Sequence, residues 1–231
     1  MTRILVVAPH PDDETLGCGG TLLQARDAGA HIFWLIVTNL TQHSNISPER
    51  ITQRKREIKA VASHYKMRET LQLNFPTTTL DDIAIGDIIS AMGDFVSHTQ
   101  PNDIYLPFRR DAHSDHRVVF DAGVAVSKWF RYPSVKRVLA YETQSETDFD
   151  LAPDSIGFRP NVFVNISEYL EEKIKIASIY ESEFSNHPFP RSKKGIDALA
   201  TLRGAASGFK AAEAFMLLRE RMPGHERNCD D

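Results

Sequence analysis

Two uninterrupted apolar runs, Ile4-Leu5-Val6-Val7-Ala8 and Ile32-Phe33-Trp34-Leu35-Ile36-Val37, constrain this chain more than any other feature. A strand with one wet face alternates apolar with polar residues, whereas a strand buried on both faces reads as a continuous apolar run. Helical spacing follows each run. Leu16, Leu22, Leu23 and Ala25 come after the first, with Gly29 as a stop; Ile51, Ile58, Val61 and Ala62 come after the second, within residues 48–65. The rhythm continues with a strand at 70–74, a helix from Asp81-Asp82 to about residue 98, a strand at 103–106, a helix at 114–130 and a strand at 137–142. Such alternation predicts an α/β fold: a Rossmann-like, mainly parallel sheet with helices on both faces and right-handed crossovers.

After Thr143 the rhythm breaks. Residues 144–157 are polar, 161–166 read as one more strand, and two helices at 167–183 and 198–222 close the chain. No linker composition intervenes, so residues 1–222 read as one domain with a C-terminal strand and helices appended, and 223–231 as a disordered tail. Residues 186–191 form a loop that can lie over a site.

With 42% apolar and 25% charged residues the chain reads as an ordinary globular protein, and a formal net charge of −4 leaves no basic footprint for nucleic acid. No apolar stretch approaches the ~20 residues of a membrane helix, so no membrane partner is expected. The N-terminal apolar run is too short for a signal peptide and leads straight into a charged motif. The two cysteines, Cys18 and Cys229, are far apart, which argues against a disulfide framework and for the cytoplasm. Cys18 reads as a small buried residue. Nothing bears on oligomeric state, and a homo-oligomer stays open.

The chemistry sits in two segments. Pro9-His10-Pro11-Asp12-Asp13-Glu14 follows the first strand, and Asp111-Ala112-His113-Ser114-Asp115-His116 follows the fourth and opens a helix. In open α/β sheets, ligands bind outside the carboxyl ends of the strands, so the fold should bring both segments to one crevice. Acids at a helix start can simply complement the helix dipole. That does not explain a histidine beside them, nor a second His/Asp/His cluster at another strand end. A catalytic zinc site takes three His or carboxylate ligands and keeps one position open. His10 with Asp13, and His113 with His116, share i,i+3 spacing, so four or five candidates compete for about three places.

The two segments resemble the signature of the PIG-L / LmbE-like family of zinc-dependent de-N-acetylases. The resemblance extends weakly to Gly17-Cys18-Gly19-Gly20, Arg54, Glu57, Tyr141-Glu142, Arg203-Gly204 and 212–215. It implies Zn²⁺ held by His10, Asp13 and His116, Asp12 as general base, and His113 as acid or oxyanion stabiliser with Asp115 orienting its ring. It further implies Arg54 near the substrate and Asp111 in a supporting role. The implied substrate is a small-molecule N-acetylated sugar or glycoconjugate. Where many members carry an acid that contacts the sugar after the third-strand proline, this chain departs from the pattern with Thr77-Thr78-Thr79, which leaves the mode of sugar recognition open. Rival readings are a mononuclear metal hydrolase on another amide or ester, an Fe(II) site, a phosphoesterase, and a non-catalytic metal- or sugar-binding protein of the same fold. Binding metal alone would not require Asp12 and His113.

Overall fold

A computed structural model describes residues 1–40, 46–151 and 156–222. Its strands are β1 (Arg3–Ala8), β2 (His31–Asn39), β3 (Glu69–Pro76), β4 (Asp103–Pro107), β5 (Arg137–Tyr141), β6 (Val162–Asn165) and β7 (Ala212–Glu220). Its helices are α1 (Asp13–Asp27), α2 (Pro48–His64), α3 (Ile85–Thr99), α4 (Ser114–Ala125), α5 (Leu170–Ala177) and α6 (Lys193–Ala205). One sheet runs in the order β3-β2-β1-β4-β5-β7-β6. The first five strands are parallel, and β7 lies antiparallel between β5 and β6.

The uninterrupted apolar runs are explained by the two faces they feed. Ile4, Val6, Ala8, Ile32, Trp34 and Ile36 pack on one side with Cys18, Leu22 and Leu23 of α1, Val61 of α2 and Ile176 of α5. Their alternate neighbours Leu5, Val7, Phe33, Leu35 and Val37 pack on the other side with Ile88, Met92 and Phe95 of α3 and Val119 of α4. Because side chains alternate across a strand, covering both faces demands an apolar residue at every position. α1 lies unusually close to the sheet: a Cβ at Gly17 would run into the Tyr141 ring, and one at Gly20 into Ile166. α2 starts at Ser47, whose Oγ accepts from Arg50 N at 3.3 Å, with Pro48 in the first turn.

The C-terminal third departs from the sequence expectation. The helix read over 198–222 ends at Ala205, turns through Gly208 at φ +79°, and gives way to β7. Ala-Glu-Ala-Phe-Met-Leu-Leu has good helix propensity. The open edge of β5 and the pairing of β6 override it, with Tyr141 opposite Phe215 and Val162 opposite Phe215 on the other side. The helix read over 167–183 contracts to α5, leaving residues 178–183 as turns. The helix read from Asp81 is a 3₁₀ turn, Leu80–Asp82, followed by α3, and the one read over 114–130 stops at Ala125. The tail at 223–231, with Cys229 and His225, and residues 41–45, with His43, lie outside the described residues.

Candidate active site

The strand order reverses direction around β1 and β4, which neighbour each other while their successors β2 and β5 lie on opposite sides. Both motifs leave the sheet at the carboxyl ends of these two strands. After Ala8 the chain reaches Asp12 at φ 136°, outside the regions a side chain ordinarily adopts. Such a conformation costs about 1–3 kcal/mol and persists only where surroundings hold it. Here Glu14 accepts from Asp12 N at 3.1 Å, and Asp12 O accepts from Thr15 N and Leu16 N. Glu14 is itself fixed by Thr15 and by the Tyr180 hydroxyl at 2.8 Å.

His10, Asp13 and His116 each present one ligand atom, all within 4.8 Å of one another. Asp13 Oδ2 is 3.5 Å from His10 Nδ1 and 3.3 Å from His116 Nε2. His116 Nε2 is buried and has no hydrogen-bond partner. Each ring nitrogen turned away from this point meets a carboxylate: His116 Nδ1 is 2.7 Å from Asp111 and His10 Nε2 is 2.9 Å from Asp115. Carboxylates behind the rings fix the tautomers that leave the inner nitrogens free to bind a metal. Asp111 is held by the Thr147 hydroxyl at 2.6 Å, and Asp115 by Thr78 N and Leu80 N at 2.7 and 3.1 Å.

The electrostatics favour a cation. Burial alone would push the His116 imidazole down, but Asp13 and Asp111 hold it well above its usual range. His10 is likewise raised to about 9, its burial outweighed by Asp115 and Asp13. Asp13 stays ionised despite its burial, because His116 and His10 surround it. A field that retains protons on a buried and a half-buried imidazole also attracts a metal ion, which competes with those protons. The donor set, its backing carboxylates and the orphaned Nε2 therefore fit a divalent metal.

Asp115 does not pair with His113 as the sequence implied. Its Oδ2 lies 3.9 Å from His113 Nδ1 and is taken by His10 and Thr78 N. His113 Nδ1 instead accepts the backbone N–H of Asp115 at 3.1 Å, and the ring sits 4.4 Å from that of His10. Burial and the neighbouring His10 charge lower His113 to about 4, so the ring is neutral with its proton on Nε2. His10, His113 and Asp115 also lie close enough to share an ion, but Asp115 Oδ2 already serves two donors and backs His10.

The pocket beside these groups encloses about 240 Å³ and is lined by His10, Asp12, Asp13 and His113 among others. Arg54, foreseen near the substrate, lines it too. Its Nη1 donates to Pro11 O at 2.7 Å, its Nη2 to Glu183 at 2.6 Å, and its Nε lies 3.1 Å from Glu57. Thr77 occupies the wall where an acid was missing, alongside Gln72 and Thr38. The sequence did not single out Arg50, Glu146, Glu183 or Arg191, which complete the lining. Arg191 falls in the loop foreseen over the site; Glu183 had no such signal. His187 lines a separate surface cavity with Lys193 and Asp197. Cys18 is buried in the core, its thiol pushed well up by that burial, and belongs to neither group of candidate metal ligands among the described residues.

Residues 5–127 match the model of the PIG-L family, GlcNAc-PI de-N-acetylase. The diacetylchitobiose deacetylase of Thermococcus kodakarensis is 26% identical over 91% of this chain and 81% of its own. The conserved protein TT1542 of Thermus thermophilus superposes with a TM-score of 0.78 at 25% identity, covering 98% of this chain and 99% of that one. The 4-carboxy-2-hydroxymuconate hydratase of Pseudomonas putida KT2440 shares the fold at a TM-score of 0.76 and 15% identity, over 98% of this chain and 100% of its own. The fold alone thus hosts more than one chemistry, and function must be argued from the site.

Proposed function

This chain belongs to the PIG-L (GlcNAc-PI de-N-acetylase) family, and from that premise we propose that it is a zinc-dependent hydrolase removing the N-acetyl group from an N-acetylated amino sugar or its conjugate. One observation carries the reading: a buried, unpartnered His116 Nε2 faces Asp13 and His10, with a second acid, Asp12, next in the chain. Two imidazoles and a carboxylate with room beside them are the ligand set of a catalytic zinc. His10, Asp13 and His116 would hold the ion. When bound, it supplies Lewis acidity toward an amide carbonyl and acidifies water.

The remaining steps belong to the chain. Asp12, on the pocket wall, takes the proton of the attacking water. His113, neutral and with Nδ1 committed to the Asp115 N–H, offers its Nε2–H to the carbonyl oxygen as negative charge develops there. Its role narrows from acid to hydrogen-bond donor. The proton collected at Asp12 is then the one available to the leaving amine. Gln72, Thr77 and Thr38, with Arg50 and Arg54, offer neutral and cationic donors to sugar hydroxyls. About 240 Å³ is less than the ~300–1,000 Å³ of pockets for drug-sized ligands, and suits a single sugar ring with any aglycone outside.

No helix among the described residues is long and apolar enough to cross a membrane, and the buried free thiol of Cys18 suits the cytoplasm that we propose as its location. Metal analysis together with an amine-release assay on N-acetylglucosamine and N,N′-diacetylchitobiose tests the proposal. One zinc per chain, with acetate and amine released in equal amounts, is the expected outcome. A zinc-loaded protein that binds such sugars without releasing amine would be a binding protein.

A further inference from the structure

Arg191 lies 179 positions from Asp12 in the chain, yet its Nη1 donates to Asp12 Oδ2 at 3.2 Å. Its Nη2 sits 3.3 Å from Glu183 Oε2, so the guanidinium bridges the two carboxylates. Glu183 is anchored in turn through its other oxygen, Oε1, by Arg54 Nη2 at 2.6 Å and Arg50 Nη2 at 3.1 Å. The loop that carries Arg191 is tied to itself: Ser185 N donates to Arg191 O at 3.2 Å and Phe189 N to Asn186 O at 3.0 Å. The next residue, Ser192, caps α6 through Gly195 N at 3.1 Å. The Phe189 ring lies 5.6 Å from the guanidinium, and Arg191 Nε is buried without a partner. Arg191 therefore enters the pocket wall on a tied segment, its terminal nitrogens committed to Asp12 and Glu183.

Resting on the assignment of Asp12 as the base, we propose that Arg191 is a positioning residue for that base. It occupies Oδ2 of Asp12 and so orients Oδ1 toward the attacking water. A planar guanidinium can bridge two carboxylates with a fixed fork, whereas an ammonium acts as a point charge. The strained backbone of Asp12 adds to the need: φ 136° sets where the side chain starts, and Arg191 sets where it ends. Arg191 acts through Asp12 and needs no contact with the sugar.

The test compares wild type, Arg191→Met, Arg191→Lys, Asp12→Asn and Asp12→Asn/Arg191→Met, each with its zinc content measured. Arg191→Met should keep zinc and KM while kcat falls on the order of 10²-fold, the cost of a misplaced reacting group. Arg191→Lys should recover part of the loss. In the Asp12→Asn background the same substitution should cost little further, since residues acting as a unit are not additive. In the metal-free proteins the pair should show a non-additive shift in denaturant midpoint, a readout that needs no turnover. The proposal is overturned if KM rises while kcat holds, if zinc is lost, if the two losses multiply, or if the midpoint shifts add. Wild type without amine release defeats the deacetylase reading instead, and the midpoint cycle still decides whether Arg191 and Asp12 are coupled.

Discussion

The N-terminal part of the molecule, β1 to α4, and the C-terminal part, from β6 onward, build the same crevice by different means. The first contributes short motifs at strand ends: His10, Asp12 and Asp13 after β1, and Asp111, His113, Asp115 and His116 after β4. The second contributes single polar residues scattered through turns, a helix and a strand: Glu183 and Arg191 in the pocket wall, and Lys173 and Glu213 beneath α1. Glu213 accepts from Gly20 N, Thr21 N and the Thr21 hydroxyl at 2.6–2.8 Å, and from Lys173 Nζ at 2.7 Å. One region holds the chemistry; the other holds that region still. Chemistry that needs several ligands at one point favours residues close in sequence, whereas a supporting contact needs only one residue from wherever the chain returns.

The sharpest way to break this comparison is to remove a ligand. His116→Ala should abolish metal binding and turnover while the fold survives, because neither face of the sheet core depends on that ring. The metal-free protein should nonetheless melt lower, as Asp13 and Asp111 lose the imidazole between them; metal analysis and calorimetry check both. A His116→Ala protein that retains zinc would move the metal elsewhere. Next in size, Asp12→Asn should keep zinc and lower turnover by ~10²–10⁴-fold. Wild-type rates in that zinc-loaded variant would take Asp12 out of the mechanism.

Glu213→Gln tests the other region. It leaves the buried Lys173 ammonium without its counter-charge, and breaking such a pair costs about 3–5 kcal/mol. Denaturant unfolding should register that loss, while zinc affinity and turnover per folded molecule stay close to wild type. A large loss of zinc affinity without loss of stability would erase the division between the regions. Smallest, Asp111→Asn or Asp115→Asn should weaken zinc affinity by about 10–100-fold, read by competition with a chelator, with the fold unaffected. If Asp115→Asn left affinity unchanged, Asp115 would not back His10 in the metal-loaded protein.

The motifs were legible because strand ends place them. A buried strand followed by a helix puts the intervening residues at the carboxyl edge, so His10 and His116 could be brought together on paper before any coordinates. The partner of Asp115 was not legible: both His10 and His113 lie within reach of a carboxylate at that helix start, and only the packing of Thr78 N and Leu80 N against Asp115 turns it toward His10. β7 misled for a related reason. Its residues favour a helix when read locally, and the pairing that makes them a strand comes from β5 and β6, distant in the chain.

By itself the sequence determined the doubly covered parallel sheet, since only burial on both faces explains two continuous apolar runs, and it determined the donor types available at the crevice. The tertiary structure alone decided which nitrogen of each histidine is free, because that depends on carboxylates arriving behind the rings. It alone brought Arg191 to Asp12 across 179 positions. A side chain's identity limits what it can donate or accept; what it meets is set by where the rest of the chain returns, and no local pattern encodes that distance.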